Sequence, residues 1–387
     1  MIYFDNAATT GTKPEQVINA VNTALKHYSV NPGRAGYGLS QRCSETIYRC
    51  RKETAEFFGS SGPQSVIFTP NCTASVNYVL KGVLKSGDHI IVSSQEHNSV
   101  MRPLYELSKR GVEVDSAEVI FGDDDATVRT FANLIKGNTK MIFCIHASNV
   151  IGNVLPIKQI GELCAEKGIA FGVDAAQTAG IIGINMKEMN IDYLCIAPHK
   201  GLYAPTGTGI LIADKPIEKT VIEGGTGTDS LLAAQPKDIP EGFESGTVNV
   251  SGIFGIKAGL DFVKQKGMKN LYRKEMELAA KVYDNLSKIS GVVLYSQRPE
   301  IGSHVPTLSF NIKGLDSTDV ADKLDKKGIC VRAGLHCAPS VHRRLGTVST
   351  GTVRVSFSAF NNWAEVQQFC NAISEISRMT EKRPYFY

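Results

Sequence analysis

Short apolar runs that end in polar or glycine-containing turns recur through the first part of the chain. Val66-Ile-Phe-Thr69, His89-Ile-Ile-Val-Ser93, Met141-Ile-Phe-Cys-Ile145, Phe171-Gly-Val-Asp174, Leu194-Cys-Ile196 and Gly209-Ile-Leu-Ile-Ala213 are such runs. Their length and lack of polar alternation predict strands buried on both faces. Residues 74–84, 100–110 and 158–167 carry helical periodicity between them. Strand–helix alternation of this kind predicts a mostly parallel sheet with helices on both faces. Upstream, Pro14 opens a helical pattern that sets Val17, Ile18, Val21 and Leu25 on one face. The glycine-rich stretch 31–38 reads as a loop, of the active-site kind or a plain surface one. Beyond residue 255 the pattern becomes one long helical region, 255–289. Strands Thr307-Leu-Ser-Phe-Asn311 and Thr352-Val-Arg-Val-Ser356 and a closing helix over 363–379 follow. The expectation is an α/β protein with a large domain over 15–255 and a smaller α+β domain built from 1–14 and 256–387.

Composition narrows the classes. The chain has 387 residues, 42% hydrophobic and 21% charged, which suits a globular protein with a sizeable core. Its 42 basic and 38 acidic residues leave a net charge of only +4, with no basic stripe, so nucleic acid is not an expected partner. No apolar run is long enough to span a bilayer, and the first residues do not read as a signal peptide. Nine scattered cysteines, several inside apolar runs, read as reduced thiols and point to the cytoplasm. None of them has zinc-site spacing, so no metal is expected.

The chemistry concentrates at two strand ends. Ile169-Ala-Phe-Gly-Val173 runs into Asp174-Ala-Ala-Gln177, and Tyr193-Leu-Cys-Ile-Ala197 runs into Pro198-His199-Lys200-Gly201. In open α/β sheets ligands sit beyond the carboxyl ends of the strands. An acid and a lysine delivered there together match what pyridoxal 5′-phosphate needs: a Schiff-base lysine, and a carboxylate that keeps the pyridine nitrogen protonated. The bland alternative is a buried ion pair.

Other candidates have readings of both kinds. Thr73, in Thr69-Pro-Asn-Cys-Thr73, follows a strand and opens a helix, where phosphate binds well and where a plain helix cap is also common. His97, just past a strand, can stack on an aromatic cofactor and shuttle protons, or be a surface histidine. Asn149 and Gln177 can hydrogen-bond a cofactor's phenolic oxygen or serve as turn residues. The loops Gly224-Gly-Thr-Gly-Thr228 and Phe243-Glu-Ser-Gly-Thr-Val-Asn249 can supply phosphate ligands or a subunit contact, or be ordinary turns. Cys337, in Arg332-Ala-Gly-Leu-His-Cys337, has His336 and Arg332 close by, an electropositive setting that favours a thiolate. Arg354 interrupts an apolar strand and can hold a substrate carboxylate, or an internal acid.

Taken together these motifs resemble the class V aminotransferase family of fold-type I pyridoxal-phosphate enzymes, and most of all its cysteine desulfurases, in the SufS-like and selenocysteine-lyase-like branch. The resemblance runs from Tyr3-Phe-Asp-Asn-Ala-Ala8 to Arg354-Val-Ser-Phe357. It implies an aspartate aminotransferase-like large domain and a homodimer with shared sites. Lys200 then matches the Schiff-base lysine, Asp174 the partner of the pyridine nitrogen, Gln177 the residue near the phenolic oxygen and His97 the histidine stacked on the ring. Thr73 and His199, with Cys72 in a hydroxyl's place, match the phosphate site, and Thr247 matches a phosphate ligand given by the partner subunit. Asn149 and Arg354, with Arg332 nearby, match the residues that hold the substrate carboxylate. Cys337 matches the sulfur-accepting nucleophile. The implied reaction converts L-cysteine to L-alanine and leaves a persulfide for a sulfur-acceptor protein; selenocysteine lyase and class V transaminase are the alternatives. The chain departs from the family pattern at Ala197, where a serine is usual, so one phosphate hydrogen bond is either missing or replaced by Thr226 or Thr228.

Overall fold

The computed structural model describes residues 1–32, 36–228 and 230–381. Part of the 31–38 loop therefore lies outside the described residues. In chain order the elements are β1 (Ile2–Tyr3), α1 (Glu15–His27), α2 (Gly38–Phe58), β2 (Val66–Thr69), α3 (Cys72–Val83), β3 (His89–Ser93), α4 (Asn98–Ser108), β4 (Glu113–Ala117), α5 (Asp124–Asn133), β5 (Thr139–Ile145), α6 (Ile157–Lys167), β6 (Ala170–Asp174), β7 (Tyr193–Ile196) and β8 (Gly209–Ala213). There follow α7 (Val250–Lys266), α8 (Met268–Leu286), β9 (Val292–Leu294), β10 (Thr307–Ile312), α9 (Ser317–Asp325), β11 (Ile329–Cys330), β12 (Arg332–Gly334), α10 (Pro339–Leu345), β13 (Thr352–Ser356) and α11 (Trp363–Glu381).

The chain divides into two compact units. The larger comprises Lys13–His146 and Pro156–Lys266, the smaller Met1–Thr12, Ala147–Leu155 and Gly267–Tyr387. The larger unit holds a seven-stranded sheet of order β2-β8-β7-β6-β5-β3-β4. β8 runs antiparallel to both its neighbours, and the other pairs are parallel. Its six predicted strands form because their side chains are buried on both faces, where near-continuous apolar sequence is stable. One core of this unit joins β2, β3, β5, β7 and β8 to helices α3 and α4 through Ile67, Val76, Leu80, Ile90, Val100, Leu104, Phe143, Cys195 and Leu211.

The expected boundary at 255 falls inside α7. That helix packs against α1 and α2 and so stays with the larger unit. The long helical region is two helices, because Gly267 between them adopts φ +78° and breaks the helical path. On α1, Val17 and Ala24 are buried, whereas Ile18 and Leu25 remain exposed, so the buried stripe is narrower than its apolar residues suggested.

The smaller unit contains an antiparallel sheet of order β12-β13-β10-β9 and a short parallel pair, β1 with β11. Its core joins Phe4, Leu308, Phe310, Val353, Val355, Phe369 and Ile373. Segment Ala147–Leu155 belongs here through backbone bonds: Val154 N–H donates to the Ser303 carbonyl at 2.8 Å, and Val305 N–H to the Gly152 carbonyl at 2.7 Å. Asn149 is thus attached to the smaller unit although it directly follows a strand of the larger one.

Candidate active site

In the larger unit the two predicted strand ends meet. β6 and β7 are adjacent and parallel, with Asp174 opposite Cys195, and Ala175 N–H donates to the Cys195 carbonyl at 2.8 Å. The turns that follow touch backbone to backbone. A Cβ on Gly201 would lie 2.4 Å from the Ala179 carbonyl oxygen, and one on Gly180 (φ +84°) would lie 2.4 Å from that of Gly201. Only glycine lets the chain carrying Lys200 approach the chain carrying Asp174 and Gln177 this closely.

The Asp174 carboxylate is 2% exposed and held on several sides. Ala176 N–H donates to its Oδ1 at 2.9 Å, the Cys72 thiol lies 3.7 Å from the same oxygen, and the Ser99 hydroxyl lies 3.4 Å from Oδ2. Cys72 sits in the first turn of α3, whose N-cap Asn71 accepts the Ala74 N–H. The Cys72 sulfur turns to Asp174, while its backbone stays in the first turn of α3. Burial first, then the Asp174 charge, push its thiol well up, while Lys200 acts in the opposite sense. Asp174 and Lys200 therefore both bear on one buried sulfur. Thr73 lies next to Cys72 in the same turn, where the helix N-terminus favours an anion.

His97 is the N-cap of α4, and its Nδ1 accepts the Ser99 N–H at 3.0 Å. His199 is mostly buried. Burial, then the Lys200 and Lys13 cations, lower its pKa to about 4, so its ring is neutral near pH 7. Lys13, which the motifs did not reveal, donates from Nζ to the His199 carbonyl at 2.9 Å; burial lowers it to about 8. Glu96 was also missed. It is fully buried, accepts the Ile145 N–H at 2.8 Å, and is pushed up to about 8 by burial first, with the Asp174 charge adding to it. The signal for it was only a carboxylate at a strand end that the register buries.

Gln177 is buried in the turn beyond Asp174. Thr247 is exposed on its loop, which Glu244 ties down by pairing with Arg51 and by accepting the Phe68 N–H at 2.6 Å. Ala197 is buried, and Thr226 and Thr228 bond each other in an exposed turn, 3.2 Å apart.

The other predicted residues gather in the smaller unit. Arg354, 2% exposed, donates from Nη2 to Asp5 Oδ1 at 2.7 Å and from Nη1 to the Asn149 carbonyl at 3.0 Å; its buried Nε has no hydrogen-bond partner. Arg332 Nη1 lies 3.8 Å from the other oxygen of Asp5. Asp5 stands among the residues that carried the family resemblance, yet no role had been attached to it. Asn149 donates from Nδ2 to the His336 carbonyl at 2.7 Å, which ties it to the Cys337 turn.

That turn runs from Leu335 to Ala338, closed by an Ala338 N–H to Leu335 carbonyl bond of 2.9 Å. Its central residues, His336 and Cys337, have φ +50° and +58°. Two non-glycine residues in the left-handed region form a type I′ turn, a costly conformation held by its surroundings. The electropositive setting expected of His336 is absent. Its Nε2 lies 3.1 Å from the Thr352 carbonyl and hydroxyl, and burial, with Arg354 next, drives its pKa down to about 2. A neutral His336 cannot stabilise a thiolate by charge; the cations that bear on it are Arg354 and the half-exposed Arg332. All nine cysteines are free, and Cys337 alone is exposed.

The aminotransferase class-V family profile matches residues 2–369, nearly the whole chain. The chain belongs to the class V aminotransferase family. Two relatives within reach of this family are named "Probable cysteine desulfurase". One, from Methanothermobacter thermautotrophicus, is 32% identical, covering 98% of this chain and 95% of that protein. The other, from Pyrococcus abyssi, is 34% identical, covering 97% and 94%. Among solved structures, the apo cysteine desulfurase of Thermococcus onnurineus is similar with a TM-score of 0.88 and 32% identity, over 98% of this chain and 95% of that one. Class V aminotransferases are pyridoxal-phosphate enzymes. The larger unit's residues fit that group: a buried carboxylate with fixed donors, a lysine bearing on the same thiol, and a helix N-terminus beside them. Among the described residues no helix of this class V protein is long and apolar enough to cross a membrane, and no acid, histidine or cysteine cluster could hold a metal.

Proposed function

We propose that the chain is a pyridoxal 5′-phosphate-dependent cysteine desulfurase that converts L-cysteine to L-alanine and takes the sulfur onto Cys337. The observation that carries this reading is the Cys337 thiol, the one exposed cysteine of nine, on a turn of two left-handed residues in a class V aminotransferase. Lys200 would carry the cofactor, Asp174 would hold the pyridine nitrogen, Gln177 the phenolic oxygen, and His97 would stack on the ring. Thr73, His199, the Cys72 turn and Thr247 of the partner subunit would hold the phosphate, and the Cys72 sulfur also faces Asp174. The working form is a homodimer, the compartment the reducing cytoplasm, and the product persulfide goes to a sulfur-acceptor protein.

The cofactor supplies an electron sink for the substrate's α-carbon. The chain's residues do the rest. Asn149, Arg332 and Arg354 hold the substrate carboxylate, with Nε the Arg354 nitrogen that has no partner inside the protein. Lys200 Nζ takes the proton from Cα and returns one to the carbon skeleton. Cys337 Sγ, as thiolate, bonds to the substrate sulfur while the Cβ–S bond breaks; the electron pair passes to carbon, which gains a proton and leaves as alanine. One cysteine and one Cys337 thiol thus give one alanine and one persulfide.

A single turnover with L-cysteine tests this: alanine and a Cys337 persulfide, found by mass spectrometry, should appear in equal amounts. A Cys337→Ala variant that desulfurates cysteine at the full rate overturns the nucleophile assignment. Amino transfer to pyruvate or glyoxylate in place of persulfide formation would make it a transaminase.

A further inference from the structure

We propose that Ser99 is a positioning residue that couples the His97 ring to the Asp174 carboxylate, so that one unit addresses both the cofactor's ring face and its nitrogen. This deepens the proposed function and rests on it. The Ser99 amide donates to His97 Nδ1 at 3.0 Å. An amide N–H can only donate, so Nδ1 must offer its lone pair, and the neutral ring carries its proton on Nε2. The Ser99 hydroxyl oxygen lies 2.9 Å from that same Nδ1 and 3.4 Å from Asp174 Oδ2. A hydroxyl has one proton to give. Deprotonated Nδ1 and the carboxylate can both only accept, so the hydroxyl proton lies between them, and neutralising Asp174 sends it to Nδ1.

The three groups are buried or nearly so, with Ser99 7% and Asp174 2% exposed, so a weak bond counts for more than it would in water. Helix capping does not account for the hydroxyl. His97 caps α4 through the Ser99 backbone, which any residue at 99 would provide. The side chain adds the contacts with Nδ1 and with Asp174. Oδ1 is meanwhile held by the Ala176 amide and faced by the Cys72 thiol, so Ser99 acts on the other oxygen and fixes the rotation of the carboxylate.

The test is a double-mutant comparison on the full-length chain with ¹⁵N-labelled histidine. In the parent, His97 should show its proton on Nε2, and Asp174→Asn should shift its ring-nitrogen resonances. In a Ser99→Ala background the same Asp174→Asn change should shift them by less than half as much. Ser99→Thr should keep the full shift and Ser99→Val lose it, a pair of equal shape that carries the comparison if the alanine variant does not fold. In the cofactor-loaded protein Ser99→Ala should lower kcat about tenfold and change KM less than twofold, with Thr restoring most of the rate. Equal shifts in both backgrounds, or a His97 proton on Nδ1, overturn the proposal. A parent protein without the visible band of bound cofactor would instead overturn the proposed function, while the resonances still decide the coupling.

Discussion

The polar groups of the larger unit and those of the smaller unit are prepared in opposite ways. Around Asp174 the partners are fixed or neutral: a backbone amide, a thiol and a hydroxyl. Around Arg354 the partners are charged or strained: the Asp5 carboxylate already holds the guanidinium, and Cys337 sits on a left-handed turn above a neutral His336. A cofactor that stays bound benefits from rigid, permanent ligands. A substrate that comes and goes needs groups whose present partners can be exchanged, and under the proposed function Asp5 holds the place of the substrate carboxylate on Arg354.

The largest expected effect separates the two regions outright. Lys200→Ala should abolish the visible band of bound cofactor and lower turnover at least about 10³-fold. Cys337→Ser should keep that band and lose the persulfide. Loss of the band in both variants would erase the distinction between a cofactor region and a sulfur region.

A smaller effect is expected at the stand-in. Asp5→Asn leaves Arg354 buried without its carboxylate. Urea unfolding should show a loss of about 2 kcal/mol, less than the ~3–5 kcal/mol of fully buried pairs because Asp5 keeps some exposure. The same variant should bind a carboxylate substrate more tightly, with a lower KM, since nothing inside the protein competes for the guanidinium. An unchanged unfolding midpoint would show that the pair is idle.

The smallest effect concerns pH. Burial raises Glu96 from its ordinary range to about 8, so the folded protein holds this proton more tightly than the unfolded chain does. Its contribution to stability is complete below about pH 4.5 and is lost as pH rises through about 8. Buried His336 and His146, lowered to about 2 and about 3, act in the other direction: their contribution is present above about pH 6.5 and falls away under it. Glu96→Gln removes only the first of these. Urea midpoints between pH 5 and 9 should therefore fall less steeply in the variant, and parallel curves would mean that Glu96 keeps its charge on folding.

Legibility followed burial. The six predicted strands could be read because each is apolar and buried on both faces, β2 at the other sheet edge included. β4 could not, since Glu113-Val-Asp-Ser-Ala117 is a half-exposed strand at the sheet edge, pairing on one side only with β3. α2 hid for another reason: its buried stripe runs through Cys43, Ile47, Cys50, Thr54 and Phe58, in which cysteines and a threonine do the work of aliphatic residues. Among the candidate site residues, those in short distinctive motifs could be read as candidates: Asp174, Lys200, His97 and Cys337. Ser99, Lys13 and Asp5 were not, because each acts through a partner distant in sequence or through a backbone group that leaves no motif.

By itself the amino-acid order determined the sheet-forming segments, the family and the kinds of groups available for chemistry, since these depend on local periodicity and short contiguous motifs. Tertiary structure alone decided what each group is paired with. It gave Arg354 to Asp5, turned Cys72 to Asp174, and made His336 neutral where its neighbours had suggested a positive charge. Pairing and protonation depend on distance and on exclusion of water, and both are set only when remote segments pack together.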